Sequence, residues 1–131
     1  MEPAREIDLI EAAQNGQMSE LRAKLYLTNV DINSEDSYGR TGVYWATFTG
    51  KNEALQLLLQ HGGDPHRADK YGNTPVHKAA DRGYTEALAL LLHYGGDPNR
   101  ASNQGETPVS IAAARGNTEA LALLKAAGGK Q

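Results

Sequence analysis

The sequence contains no cysteine, and its 131 residues include one tryptophan and one phenylalanine. Without cysteine the chain forms no disulfides and carries no thiolate chemistry, which is compatible with a reducing compartment. It also lacks a run of lysine and arginine, and a formal net charge of −3 is too small to indicate electrostatic capture of nucleic acid or of an acidic membrane surface. Because no signal peptide or long apolar segment is recognisable, we expect a soluble protein of the cytoplasm, with the nucleus as a second compartment.

The sequence does contain a register that repeats every 33 residues. A fixed period of this length indicates a repeat array, and a chain with 40% hydrophobic residues can bury a continuous core when its repeats stack. We predict one domain over residues 1–131, divided into repeats at about 1–33, 34–66, 67–99 and 100–131, of which the first and last act as caps. The register is defined by Gly39, Gly72 and Gly105, by Thr41, Thr74 and Thr107, and by Gly50, Gly83 and Gly116.

Each full repeat is predicted to form two short helices. A threonine before the first helix can accept hydrogen bonds from free backbone amides of the first turn, and a proline can follow it where a missing N–H costs nothing. The predicted caps are Thr41, Thr74 and Thr107 for the first helices, and Asn52, Thr85 and Thr118 for the second helices. Leucines of the second helices are predicted to form the core, namely Leu55, Leu58, Leu59, Leu88, Leu91, Leu92, Leu121 and Leu124.

The run Thr74-Pro75-Val76-His77-Lys78-Ala79 resembles the Thr-Pro-Leu-His-x-Ala signature of ankyrin repeats, which have the same period. Residues 107–112 keep most of this signature, and residues 41–46 keep only the threonine, an aliphatic residue and the alanine. The resemblance implies an all-α ankyrin-repeat solenoid, in which helix-turn-helix units stack and are joined by short hairpin-like fingers. It also implies non-catalytic recognition of a protein partner, and a structural role for His77 in hydrogen bonding to backbone between repeats.

The second repeat departs from the register, because it carries Trp45 and Phe48. Their spacing places both rings on one face of a helix, and the equivalent positions hold Lys78 and Asp81 in the third repeat. The resemblance implies that these positions line a concave recognition surface, where aromatic anchors dominate binding energy. Two interpretations remain open: the pair contacts a partner, or it packs on the atypical first repeat. Lys78 is predicted to stack on the Trp45 ring.

On the same predicted surface lie the exposed side of the first helices and the finger tips. The predicted tips are Asp36-Ser37-Tyr38, Asp69-Lys70-Tyr71 and Ser102-Asn103-Gln104. The residues predicted to contact the partner are Tyr38, Arg40, Trp45, Phe48, Lys70, Tyr71, Asn73, Lys78, Asp81, Arg82, Gln104, Glu106, Ile111 and Arg115. The sequence does not separate an adaptor from an inhibitor, and we expect a monomer.

Other functions are less well supported by the sequence. His61, Asp64 and His66 lie close together, but the next repeat has Tyr, Asp and Asn at these positions and no further ligands are evident, so we predict neither a metal nor another cofactor. The alternative is a small-ligand binder or an enzyme with a polar site around His77 and Asp81. Catalysis there would need a nucleophile and an orienting acid converging on the imidazole, so we do not expect an enzyme.

Overall fold

The computed structural model describes residues 7–130. In this range the chain forms eight helices in four antiparallel pairs, and the first helix of each pair packs on the first helix of the next pair. The second helices stack in the same way, which produces the two layers of an all-α repeat solenoid. The helices are α1 (Leu9–Asn15), α2 (Met18–Leu27), α3 (Gly42–Phe48), α4 (Asn52–Gln60), α5 (Pro75–Arg82), α6 (Thr85–His93), α7 (Pro108–Arg115) and α8 (Thr118–Ala126).

The predicted caps of the first helices are confirmed. The side-chain oxygens of Thr41, Thr74 and Thr107 each accept a hydrogen bond from the backbone N–H three residues later, at 3.2, 3.3 and 3.0 Å. Prolines occupy the first positions of α5 and α7, where a backbone N–H has no helical partner to lose.

The predicted caps of the second helices are wrong. Asn52, Thr85 and Thr118 are the first helical residues of α4, α6 and α8, and the residues before them make no capping hydrogen bond through their side chains. Only two residues separate α5 from α6 and α7 from α8, so the helix begins one residue earlier than a threonine cap requires. The side chain of Asn52 instead donates a hydrogen bond to Glu86 in the next repeat.

The core is the predicted leucine ladder, with alanines between the paired helices. Most of the predicted leucines are fully buried, although Leu92 and Leu121 are only partly buried. Leu57 joins the core without having been predicted. Burial of each such side chain contributes roughly 1.5–3 kcal/mol of transfer free energy, so the ladder is the main stabilising feature.

Helices α4, α6 and α8 are each followed by a glycine pair, illustrated by Gly95 and Gly96 after α6. Gly95 adopts a φ of 94°, in the left-handed region that favours glycine. The N–H of Gly96 then donates a 2.8 Å hydrogen bond to the carbonyl oxygen of Leu91. Gly16 and Gly50 are 34 residues apart, whereas Gly50 and Gly83 are 33 apart. α2 accounts for the extra residue, because it has 10 residues where α4 has 9.

The fingers that connect the pairs are tight turns rather than strands. In each finger a backbone N–H donates to a carbonyl oxygen four residues later, as from Asp69 to Asn73 at 2.9 Å. Successive fingers are joined by backbone hydrogen bonds from Lys70 N to Tyr38 O, at 2.9 Å, and from Asn103 N to Tyr71 O, at 3.0 Å. Within residues 7–130 the only β-type pairing is an isolated bridge between Glu35 and Thr41.

Candidate functional site

The fingers owe their shape to one oxygen-bearing side chain in each repeat. The Asp36 carboxylate accepts hydrogen bonds from the backbone N–H groups of Tyr38 and Arg40, at 2.9 and 3.0 Å. Asp69 accepts the equivalent pair in the next finger, and the Ser102 hydroxyl does so in the third. Sequence reasoning placed these residues in the fingers but missed this role, although their recurrence at the repeat period was a readable signal.

Asp36 also fixes the tryptophan of the second repeat. The Trp45 indole N–H donates a 2.9 Å hydrogen bond to the second carboxylate oxygen of Asp36. Partial burial of this carboxyl acts to raise its pKa, but hydrogen bonds from Arg40 N, the indole and Tyr38 N hold the pKa of Asp36 below its ordinary value. The carboxylate is therefore ionised at neutral pH, and it keeps the indole oriented against the finger.

Arg40 lies at the centre of the aromatic side chains. Its guanidinium pairs with the Asp69 carboxylate, with Nε and Oδ2 3.2 Å apart, and the Asp69 side chain is 0% exposed. The same guanidinium lies over three rings, with its Cζ 5.1 Å from the ring centres of Tyr38 and Tyr44 and 5.7 Å from that of Trp45. The prediction that Lys78 stacks on Trp45 is wrong: within residues 7–130 the cation found over the indole is Arg40, from the same finger as Asp36.

Two further cations extend this arrangement. The Lys70 ammonium lies 4.2 Å from the ring centre of Tyr38, and the Arg82 guanidinium lies 4.2 Å from that of Phe48. The Trp45 and Phe48 rings meet edge to face, with centres 5.5 Å apart. These contacts form one continuous set, which we call the cation–aromatic row: Tyr71, Lys70, Tyr38, Arg40, Trp45, Phe48 and Arg82.

The aromatic pair of the row is half-buried rather than enclosed. Trp45 and Phe48 both rest on the ring of Tyr44, which is itself fully buried, and burial raises the pKa of Tyr44 to about 12. The ring and hydrogen-bond contacts described for the pair go to the second repeat and to Arg82 of the third. The first repeat, on which the packing interpretation placed them, supplies none of these contacts among the described residues.

Six other predicted residues lie together around a cleft of about 180 Å³ between α5 and α7. This volume is small for a ligand pocket, which typically exceeds about 300 Å³. The Asp81 carboxylate in this cleft already pairs with Arg115, at 2.8 Å. Ile111 is only 9% exposed, so it offers little surface to a partner. The predicted residues in this group are Asn73, Lys78, Asp81, Glu106, Ile111 and Arg115. Gln104 belongs to neither group and is exposed on the third finger.

His77 borders the same cleft but is 1% exposed, and both of its ring nitrogens are engaged. Nδ1 accepts a 3.1 Å hydrogen bond from Thr74 N, and Nε2 lies 3.0 Å from the Glu106 carbonyl oxygen, to which the neutral imidazole donates. Burial lowers the pKa of His77 from its ordinary value, an effect that the Glu106 carbonyl only partly opposes. The imidazole is therefore a neutral bridge between two repeats, and it presents no free atom for the alternative polar site.

We expect His77→Ser to lower the free energy of unfolding by about 1–3 kcal/mol at pH 7.5, because the bridge to Glu106 is lost. Ser110 makes the same cap in the fourth repeat, so the start of the helix should survive. Because the folded pKa is depressed below about 6.5, the stability that the neutral imidazole contributes is complete above that pH. It is lost as the pH falls through the folded pKa.

Urea unfolding at pH 7.5, 6 and 5 measures this effect. The difference between wild type and His77→Ser should shrink as the pH falls. His93→Ser, at an exposed histidine, is the matched control and should change stability by less than about 0.5 kcal/mol. A difference that stays constant from pH 7.5 to 5 would contradict the assigned protonation state.

The histidines and acids elsewhere do not converge. Among residues 7–130, no three side chains of His, Asp or Glu are placed to share a metal ion. His61 Nδ1 lies 2.9 Å from the Leu57 carbonyl oxygen, and the Asp64 carboxylate accepts from His66 N at 2.7 Å. In the same described range, no helix combines the length and the apolar character needed to cross a bilayer.

A family model described as ankyrin repeats, in three copies, matches residues 9–102. A comparison with curated proteins gives no match.

Proposed function

The chain belongs to the ankyrin-repeat family, whose repeats generally mediate protein–protein interactions, and on this premise we propose that it binds a partner protein through its cation–aromatic row. The fingers and first helices of the second and third repeats would form the centre of the interface. The cleft beside Asp81 and Gln104 on the third finger would form its edge.

The observation that carries this proposal is the fixed position of the half-buried aromatic pair. Trp45 is tied to Asp36 and covered on one side by Arg40, and Phe48 lies between Trp45 and Arg82. Aromatic and arginine side chains held in place before binding lose little conformational entropy on association. Such side chains are typical of binding hot spots, where truncation costs about 2 kcal/mol or more.

A catalytic function has less support. Ankyrin repeats are typically non-catalytic, and the two groups of the alternative polar site already have partners within the fold, His77 with Glu106 and Asp81 with Arg115. We therefore propose that the protein acts by occupancy, either as an adaptor or as an inhibitor. The two roles differ in whether the bound partner keeps its own activity.

Paired affinity capture from a native extract tests the proposal. We expect Trp45→Ala/Phe48→Ala to lose the captured partner, with affinity lowered by a factor of about 100 or more, because two anchors are removed. The matched control is Tyr26→Ala/Leu27→Ala, since these side chains are 64% and 81% exposed on α2, away from the row. Circular dichroism melts of both variants separate lost binding from lost folding.

A partner that stays bound to a folded Trp45→Ala/Phe48→Ala variant would contradict the proposal. Loss of the partner from the Tyr26→Ala/Leu27→Ala control alone would move the interface to α2. A marked drop in the melting temperature of the first variant would support the packing interpretation of the aromatic pair.

A further inference from the structure

The cations and the carboxylates near the cation–aromatic row differ in whether they already have an ion-pair or hydrogen-bond partner within the fold. Asp36 accepts from Trp45, Asp69 pairs with Arg40, and Asp81 pairs with Arg115. By contrast, Lys70, Lys78 and Arg82 have no carboxylate within ion-pair distance among the residues that the structure describes. Asp69 and Asp81 are therefore paired with arginines of the fold and Asp36 is held by hydrogen bonds, whereas the three cations are left to solvent and to aromatic rings.

These three cations belong to one repeat and flank the aromatic pair. Lys78 and Arg82 are four residues apart on α5, so they share a face of that helix. Lys70 lies on the finger that precedes α5, over the ring of Tyr38. Because α5 rises about 1.5 Å per residue, its two cations are spaced by roughly one helical turn.

Arg82 is the best prepared of the three to bind an anion. Its guanidinium lies over the Phe48 ring, which restricts its orientation. A guanidinium stacked in this way still has N–H groups along its edge, and these match a carboxylate in a bidentate arrangement. Because the orientation of the Arg82 guanidinium is fixed before binding, less conformational entropy is lost when a carboxylate binds.

We infer that the partner presents an acidic segment to the row, with its carboxylates against Lys70, Lys78 and Arg82 and an apolar side chain against Trp45 and Phe48. This inference rests on the proposed function and adds the chemistry of the partner. Although the whole chain carries a net charge of −3, screening over about 8 Å at physiological ionic strength makes the local cations dominate. Glu106, exposed across the cleft from Lys78, limits the acidic segment to the second and third repeats.

The test uses a phage-displayed library of random peptides, panned on the wild-type protein. Enriched peptides should carry aspartate or glutamate on both sides of an apolar residue. The consensus peptide, measured by fluorescence anisotropy, should bind about ten-fold more weakly to Lys70→Glu and to Arg82→Glu, and its affinity should fall as salt rises. Lys70→Gln and Arg82→Gln should each lower the affinity by less than the glutamate variant at the same position.

The matched control is Lys125→Glu, which makes the same charge change at an exposed lysine of α8 and should leave the affinity unchanged. Equal loss in Lys125→Glu, or equal binding of a single-stranded oligonucleotide of the same charge, would overturn the inference in favour of general polyanion attraction. Failure to enrich an acidic consensus would also overturn it. If neutral peptides are enriched and depend on Trp45 and Phe48, the inference fails while the proposed function stands; if enriched peptides ignore the row, both fail.

Discussion

Gly96→Ala is expected to destabilise the protein by about 3 kcal/mol or more, a large effect for the addition of one methyl group. A Cβ on Gly96 would lie 2.7 Å from Val76 Cγ2 and 2.9 Å from the Leu91 carbonyl oxygen. The backbone cannot move away easily, because Gly96 N donates a hydrogen bond to that same carbonyl. The end of α6 and the start of α5 would therefore have to separate.

The matched control for this exchange is its neighbour, Gly95→Ala. Gly95 has a φ of 94°, and its Cβ would meet nothing closer than His66 Nε2, at 3.9 Å. Only backbone strain of about 1–2 kcal/mol is expected there. Urea unfolding of both variants, followed by circular dichroism, measures the two losses, and equal losses would show that the contact with Val76 and Leu91 relaxes without cost.

Leu88→Ala is expected to lower the free energy of unfolding by about 2–5 kcal/mol. Leu88 is fully buried in α6, in the middle of the ladder, where neighbouring repeats on both sides restrict collapse of the cavity. Since the whole domain is expected to have only about 5–15 kcal/mol of stability, this one truncation removes a large share of it.

Leu27→Ala makes the same chemical change on an exposed side chain and should alter stability by less than about 0.5 kcal/mol. Chemical unfolding midpoints of Leu88→Ala and Leu27→Ala give the comparison directly. A loss below about 1 kcal/mol at Leu88 would mean that the array tolerates a cavity in its centre, contrary to a close-packed ladder.

The fold was predictable because its signals are local and repeated. Threonine followed by proline, and glycine at a fixed period, each predict one backbone feature, and the first-helix caps at Thr41, Thr74 and Thr107 are confirmed. The caps of the second helices were mispredicted, because the length of the turn sets the first helical residue, and a preference of Asn or Thr for cap positions does not reveal that length.

The candidate surface was predictable only in part. Repeat alignment identified Trp45 and Phe48 as exceptions to the register, but it could not identify which cation covers the indole. Lys78 is equivalent to Trp45 in the next repeat, whereas Arg40 reaches the ring from the finger of the same repeat. Contacts of this kind depend on side-chain direction and on the turn made by Asp36, which an alignment of equivalent positions does not contain.

The backbone hydrogen bonds between successive fingers have a consequence for selectivity. Because Lys70 N is bonded to Tyr38 O and Asn103 N to Tyr71 O, main-chain hydrogen bonds help to hold adjacent finger tips at a set distance. The Arg40–Asp69 ion pair and the Asn103 side chain, which donates to Lys70 O, add to this connection. Side-chain substitutions at Tyr38 and Tyr71 can therefore change which groups are presented without removing the backbone hydrogen bonds between the tips. If the partner binds at the cation–aromatic row as proposed, this fixed interval would disfavour a partner of suitable composition whose contact groups are wrongly spaced.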